Sequence, residues 1–268
     1  MDKKIGFIGS GNMGGAMIGG IIKSGLVPQG NIYVSDISEP SLARVKESYG
    51  VNVTTDNTEV AKACDIIVLS VKPYLYPAVI EEIKEVVKED VLIIVIAAGQ
   101  SSAAVERLFG RDIKIVKTMP NTPALVGEGM AAIAPAANVS REETEEVAAI
   151  FNSFGKSEIV PEHLMDAVTA VSGSSPAYVY MFIEAMADAA VAEGMPRAQA
   201  YKFAAQSVLG SARMVLETGK HPGELKDMVC SPGGTTIDAV TKLEETGFRS
   251  SVMQAMKACA DKSREMAK

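Results

Sequence analysis

From Lys4 onward the chain alternates short, uniformly apolar runs with longer stretches whose apolar positions recur every three to four residues. The runs are KIGFIG from residue 4, NIYVS (31–35), VNV (51–53), DIIVLSV (65–71), VLIIVIAA (91–98) and IKIVKTM (113–119). The longest of them, DIIVLSV and VLIIVIAA, hold no alternation of apolar with polar positions, so the set predicts strands covered on both faces, as in a parallel sheet flanked by helices. Between the fourth and fifth runs, Ala78, Val79, Ile83, Val86 and Val87 keep helical spacing while Glu and Lys fill the other face. The pattern predicts an α/β fold with a doubly wound sheet that starts on a βαβ unit.

Past residue 160 the texture changes to long Ala- and Met-rich helices, predicted over roughly 176–193, 196–218 and 235–264 with a break near Gly247. Pro176 and Pro196 stand where a first helical residue tolerates a missing N–H, and Gly194 and Gly219 stand where helices stop. A boundary near Pro161 then separates a sheet domain, 1–161, from an all-helical domain, 162–268. Helix 176–193 carries Tyr178, Met181, Phe182, Ala185, Met186, Ala189 and Ala190 along one broad stripe with few charges elsewhere. It is expected to be buried nearly all round, against a second subunit or in a monomeric core.

The first run leads into GSGNMGGAM, where Gly9, Gly11 and Gly14 match G-x-G-x-x-G. In that pattern the first glycine makes the tight turn, the second admits a pyrophosphate and the third lets helix and strand pack closely. The helix that follows, roughly Asn12 to Ser24, turns its free N–H groups and positive dipole end toward the same point. A Gly-rich strand-to-helix turn can also be structural alone; the βαβ context favours a dinucleotide. Asp36, at the end of the second run, either accepts from adenosine ribose hydroxyls or opens the next helix as a cap. Arg44 is the first arginine after that run, which leaves NAD against NADP open.

Composition narrows the remaining classes. A net charge of −7 with scattered Lys and Arg gives no nucleic-acid surface, and no apolar run approaches the roughly 18 residues of a membrane span. Three cysteines, Cys64, Cys230 and Cys259, and two histidines, His163 and His221, fit neither a disulfide framework nor a metal site. The expectation is a cytoplasmic, soluble protein acting on a small molecule.

Three loops carry more chemistry than a turn requires. MPNTPA (119–124) follows the sixth run, so Asn121 and Thr122 could meet a nicotinamide, or the segment is a rigid Pro-flanked turn. SGSSPA (172–177) offers three hydroxyls before a long helix where capping needs one, Ser175 among them. HPGELKDMVCSPGGTTIDAV (221–240) contains Ser231, Pro232, Gly233, Gly234, Thr235 and Thr236 at a helix start, read as a second anion cradle or as a capped terminus.

Taken together, GFIGSGNMG, SVKP (70–73), AAG (97–99), MPNTPA, SGSSPAYVYMFIEAMADAA and HPGELKDMVCSPGGTTI resemble the pyrroline-5-carboxylate reductase family over essentially the whole chain. The resemblance implies an N-terminal Rossmann-type domain, a helical dimerisation domain, and homodimers assembled into larger rings. It implies reduction of 1-pyrroline-5-carboxylate to L-proline by NADPH or NADH. By motif position, Gly9, Ser10, Gly11, Asn12 and Met13 would hold the pyrophosphate, while Ser35 and Asn57 would lie toward the adenosine ribose or its phosphate. Val71, Lys72, Pro73, Ala97, Ala98 and Gly99 would line the path to the nicotinamide. Ser231, Gly234, Thr235 and Thr236 would hold the substrate. The backbone N–H groups of Gly234 and Thr235 are expected on its carboxylate, with the Thr236 hydroxyl over the ring. A β-hydroxyacid dehydrogenase opens the same way but uses a lysine soon after a serine-glycine loop, and here the first lysine after Ser172 is Lys202. A non-catalytic dinucleotide-sensing dimer would need no second anion cradle.

Overall fold

The six apolar runs form six strands: β1 (Ile5–Ile8), β2 (Ile32–Ser35), β3 (Asn52–Thr54), β4 (Ile66–Leu69), β5 (Leu92–Val95) and β6 (Lys114–Met119). They pair in parallel in the order β3-β2-β1-β4-β5-β6, with Ile5 in register with both Ile32 and Ile66. The structure, a computed structural model, describes residues 1–266. Because side chains alternate along a strand, each central strand feeds two cores. Ile66 and Val68 enter one with α1 (Asn12–Ser24) and α2 (Glu39–Tyr49); Ile67 and Leu69 enter the other. That second core is closed by α3 (Asn57–Ala63), α4 (Tyr76–Ile83) and α5 (Ser102–Phe109). Covering both faces is what demanded continuously apolar strands.

The sheet has two strands beyond the six expected, for eight among the described residues. β7 (Gly129–Pro135) runs antiparallel to β6, and β8 (Gly155–Ile159) returns parallel to β7 after α6 (Arg141–Asn152). β7 is mostly Ala and Gly, which have weak strand preference, and β8 reads GKSEI because it is an exposed edge. Helix α6 opens on a reciprocal cap in which Ser140 Oγ accepts from Glu143 N while the Glu143 carboxylate accepts from Ser140 N.

The chain divides into two compact units, residues 1–174 with 259–268, and residues 175–258. Residues 162–174, expected on the helical side, lie in the first unit. There α7 (Met165–Val168) buries Met165 against Ala132 and Ala134 of β7 and continues into a π-helical turn, Thr169–Gly173. The second unit holds α8 (Ser175–Ala192), α9 (Arg197–Thr218), α10 (Pro222–Val229), α11 (Thr235–Glu245) and the start of α12 (Phe248–Met266). Gly247, at φ 77°, makes the break between α11 and α12. Pro222–Val229 is helical where a loop was expected. Among the described residues no helix is long and apolar enough to cross a membrane.

Candidate functional site

The β1–α1 turn is shaped by three glycines that are tight for different reasons. Gly9 takes φ 101°, and a Cβ there would stand 2.8 Å from Ser70 O. A Cβ on Gly14 would stand 2.7 Å from Gly9 O, whereas one on Gly11 would meet nothing within 4 Å. Open space therefore lies over the start of α1. Gly11 is its N-cap with no side chain on the first N–H groups, and the first turn, beginning at Asn12 and Met13, has no acidic residue. An uncapped, unobstructed helix start of this kind fits a phosphate. From below, Ser70 Oγ donates to Gly9 O at 2.6 Å. Beside it a groove of about 840 Å³ opens at Ser10, Gly11 and Asn12 and is lined further along by Lys23 and Arg44.

Asp36 is turned onto this loop. Its Oδ2 accepts from Ser10 N at 2.7 Å and Ser10 Oγ at 2.6 Å, and its Oδ1 accepts from Ser38 N at 2.9 Å. The carboxylate thus ties β2 to the glycine turn, and the side-chain cap of α2 is Ser38. Burial raises its pKa, but the hydrogen bonds from Ser10 and Ser38 outweigh this and hold it below 3.8. Ser35 is fully buried, and its hydroxyl donates to Asn57 Oδ1 at 2.7 Å, so it does not present itself at the surface. Asn57 Nδ2 in turn donates to Glu82 Oε2 on α4 at 2.6 Å. Sequence reasoning did not pick out Glu82, a surface glutamate 25 residues from its partner.

The other predicted cofactor residues occupy the turns that leave β4 and β5 at the same carboxyl edge. Val71 and Lys72 lead into a short 3₁₀ turn that starts at Pro73, and Ala97, Ala98 and Gly99 follow β5. Asn121 is 8% exposed, with both ends of its amide in use. Its Oδ1 accepts from Met130 N at 2.8 Å and its Nδ2 donates to Ser172 O at 3.1 Å. Asn121 therefore pins the MPNTPA turn to the π-helical turn from behind. π-Helical turns of this kind recur at functional sites. A second tie was not anticipated: the Glu162 carboxylate accepts from Ser102 N at 2.9 Å and lies 3.7 Å from Lys117 Nζ on β6. The thiol of Cys64 is inert by comparison, its pKa pushed up to about 12 by burial.

In the helical unit, α11 begins at Thr235 with Gly234 as N-cap and no side-chain cap. Gly234 N donates to Ser231 O at 3.0 Å, so its N–H is spent within the turn and not on a ligand as expected. The Thr235 and Thr236 N–H groups remain at the mouth of the helix. Gly233 holds φ 66°, and a Cβ on Gly234 would collide with Ser231 Oγ. The left-handed backbone at 233 needs its glycine, whereas the contact at 234 is with a serine hydroxyl that can rotate, and the turn brings the Ser231, Thr235 and Thr236 hydroxyls to one helix start. Ser175 is the first residue of α8 and is half-buried.

The helices around it are apolar on the outside. Met181 is 69%, Phe203 67% and Leu216 82% exposed, and only Ala187 of α8 is buried. The expected all-round burial of α8 is therefore not achieved within one chain.

Comparison with known proteins gives the same picture over the full length. Residues 162–266 match the pyrroline-5-carboxylate reductase dimerisation family, and residues 4–99 match the family described as NADP oxidoreductase coenzyme F420-dependent. The chain is 54% identical to the pyrroline-5-carboxylate reductase of Escherichia coli, with all of both chains covered. It superposes on the Coxiella burnetii pyrroline-5-carboxylate reductase with a TM-score of 0.94 at 34% identity, covering 100% of each chain. For the Plasmodium falciparum pyrroline carboxylate reductase with NADP bound, the TM-score is 0.90 at 36% identity, covering 99% of this chain and 98% of that one. The glycine turn, the Ser231–Thr236 helix start and these full-length matches make the chain a member of the pyrroline-5-carboxylate reductase family.

Proposed function

We propose that the chain reduces 1-pyrroline-5-carboxylate to L-proline with NADPH or NADH, the closing step of proline biosynthesis, as a cytoplasmic homodimer. The observation that carries this reading is a pair of uncapped, glycine-opened helix starts, one in each unit, in a chain of this family. The start of α1 suits a pyrophosphate and the start of α11 suits a substrate carboxylate. The exposed apolar residues of α8 and α9, together with the dimerisation-family match, support pairing through the helical unit. Cys64, Cys230 and Cys259 are all free thiols, in keeping with a reducing compartment.

When bound, a reduced nicotinamide supplies a hydride to an electron-poor carbon. The ring C=N of the substrate gains that hydride at carbon and a proton at nitrogen, which leaves a secondary amine. A protonated imine is already electrophilic, so the chain's task is orientation more than strong acid catalysis. The Thr235 and Thr236 N–H groups fix the acid end. In this reading the Thr236 hydroxyl hydrogen-bonds the ring nitrogen as it becomes an amine, and Ser231 is the alternative donor. Asp36 and Ser70 act on the other partner by holding the phosphate turn in shape.

The test is steady-state oxidation of NADPH and of NADH with and without 1-pyrroline-5-carboxylate. Absorbance should fall only when the imine is present, and a flat trace overturns the proposal. Light scattering should give at least twice the 28.2 kDa chain mass. A fully active 28.2 kDa monomer would remove the dimer from the proposal.

A further inference from the structure

We infer that Glu82 is a specificity-determining residue for the cofactor, held in place by Asn57, and that its carboxylate biases the adenosine site against a 2′-phosphate. The inference rests on the dinucleotide reading of the β1–α1 turn. In folds of this type the ribose is read at the carboxyl end of β2, where an acidic side chain ordinarily accepts from the 2′-hydroxyl. The acid at that position here is Asp36, whose two oxygens already accept three hydrogen bonds from Ser10 and Ser38. What remains at the edge is a relay from the neighbouring residue: Ser35 Oγ to Asn57 Oδ1 at 2.7 Å, then Asn57 Nδ2 to Glu82 Oε2 at 2.6 Å.

The relay has one direction. Ser35 donates, so the Asn57 carbonyl faces inward and its amide faces Glu82. Asn57 has a second amide hydrogen and Glu82 a second oxygen, and both groups reach solvent at the carboxyl edge of β2 and β3. That pair can donate to and accept from a ribose hydroxyl. A 2′-phosphate can only accept, and there it would face a carboxylate that no lysine or arginine neutralises through a hydrogen bond or ion pair among those described. Ser35 and Asn57 act through Glu82 and are positioning residues; Glu82 is the group that discriminates.

In a water-like medium a unit charge within several ångströms of a phosphate dianion changes binding by several-fold to about tenfold. Glu82→Gln keeps the acceptor for Asn57 and removes the charge. The experiment is calorimetric titration of the full chain with 2′,5′-ADP and with 5′-AMP, which carry the adenosine half alone and need no turnover. In dilute buffer Glu82→Gln should tighten 2′,5′-ADP by about three- to tenfold and move 5′-AMP by less than about threefold. In salt near 1 M, where the screening length is about 3 Å, the gain should shrink below about twofold. In an Asn57→Ala background the same substitution should have lost most of its effect, because the carboxylate is no longer held at the ribose. A 2′,5′-ADP to 5′-AMP affinity ratio that Glu82→Gln leaves within twofold, or a gain that survives intact in the Asn57→Ala background, would overturn the inference. A wild-type chain that binds neither nucleotide would instead bring down the dinucleotide reading beneath it.

Discussion

Gly11 and Gly14 stand three residues apart in one turn, and the structure predicts opposite consequences for adding a single methyl group to each. At Gly11 the backbone is at φ −64° and ψ −171°, open to any residue, and a Cβ meets nothing within 4 Å. Replacing a glycine N-cap by alanine costs a few tenths to about 1 kcal/mol of helix stability. The loss of unfolded-state freedom returns about 0.4–1 kcal/mol. Gly11→Ala should therefore melt within about 3 °C of the wild type. The methyl nevertheless occupies the space through which a phosphate reaches the N–H groups of α1. Losing one charge-assisted hydrogen bond of about 1.5–3 kcal/mol weakens NADPH binding by roughly ten- to hundredfold. At Gly14 the added Cβ would stand 2.7 Å from Gly9 O, a backbone atom that cannot swing aside. Overpacking of this kind costs about 1–3 kcal/mol, so Gly14→Ala should lower the melting temperature by several degrees with or without cofactor. Differential scanning calorimetry of the free protein and fluorescence titration with NADPH measure the two effects separately. If Gly11→Ala binds NADPH normally, or if its melting point falls as far as that of Gly14→Ala, the division of labour between the glycines is wrong.

Thr236→Ala should reduce turnover by roughly ten- to a thousandfold with little change in NADPH affinity, and Thr236→Ser should recover most of it; pre-steady-state and binding assays check both parts. Asn121→Ala strands Met130 N and Ser172 O, at about 1–3 kcal/mol for each unsatisfied group, so urea unfolding should show a loss of roughly 2–4 kcal/mol. Asn121→Asp should be no better, since a carboxylate cannot donate to Ser172 O. Asp36 is held below 3.8 in the folded chain, so it stabilises the fold above that value and the contribution fades as pH falls through its folded pKa. Wild type and Asp36→Asn should accordingly differ in denaturation midpoint at neutral pH and converge in strong acid.

The strands that carry the cofactor turn were legible because burial on both faces forces unbroken apolar runs, as at Ile66–Leu69 and Leu92–Val95. β7 and β8 escaped for the opposite reason: Ala and Gly fill one, and Lys, Ser and Glu fill the exposed edge of the other. Spacing alone told Gly9, Gly11 and Gly14 apart, the second as the one that admits a phosphate, and the structure agrees: Gly11 faces open space while Gly9 and Gly14 face the protein's own backbone. Asp36 was ambiguous in principle, since a short acidic side chain after β2 can face a ribose, cap the next helix or, as here, hold Ser10. Asn121 stood out by its loop, yet the partners that define it, Met130 and Ser172, lie 9 and 51 residues away. Glu82 could not have been found from pattern, because on α4 it reads as one more solvated charge.

The last turns of α12 return to the first unit. Ser263 Oγ donates to Asp166 Oδ1 at 2.6 Å, Cys259 Sγ donates to Ser174 Oγ at 3.3 Å, and a Cβ at Gly99 would stand 3.1 Å from Met266 Cβ. The helical unit is thus an insertion with two covalent tethers, not a tail with one. A chain ended after Ser174 would lack the contacts that brace the turn carrying Gly99, and a nick within 175–258 would leave both ends anchored. Removing the final eight residues should therefore disturb the sheet-bearing unit before it disturbs the helical unit, although those residues are farthest along the chain from its strands.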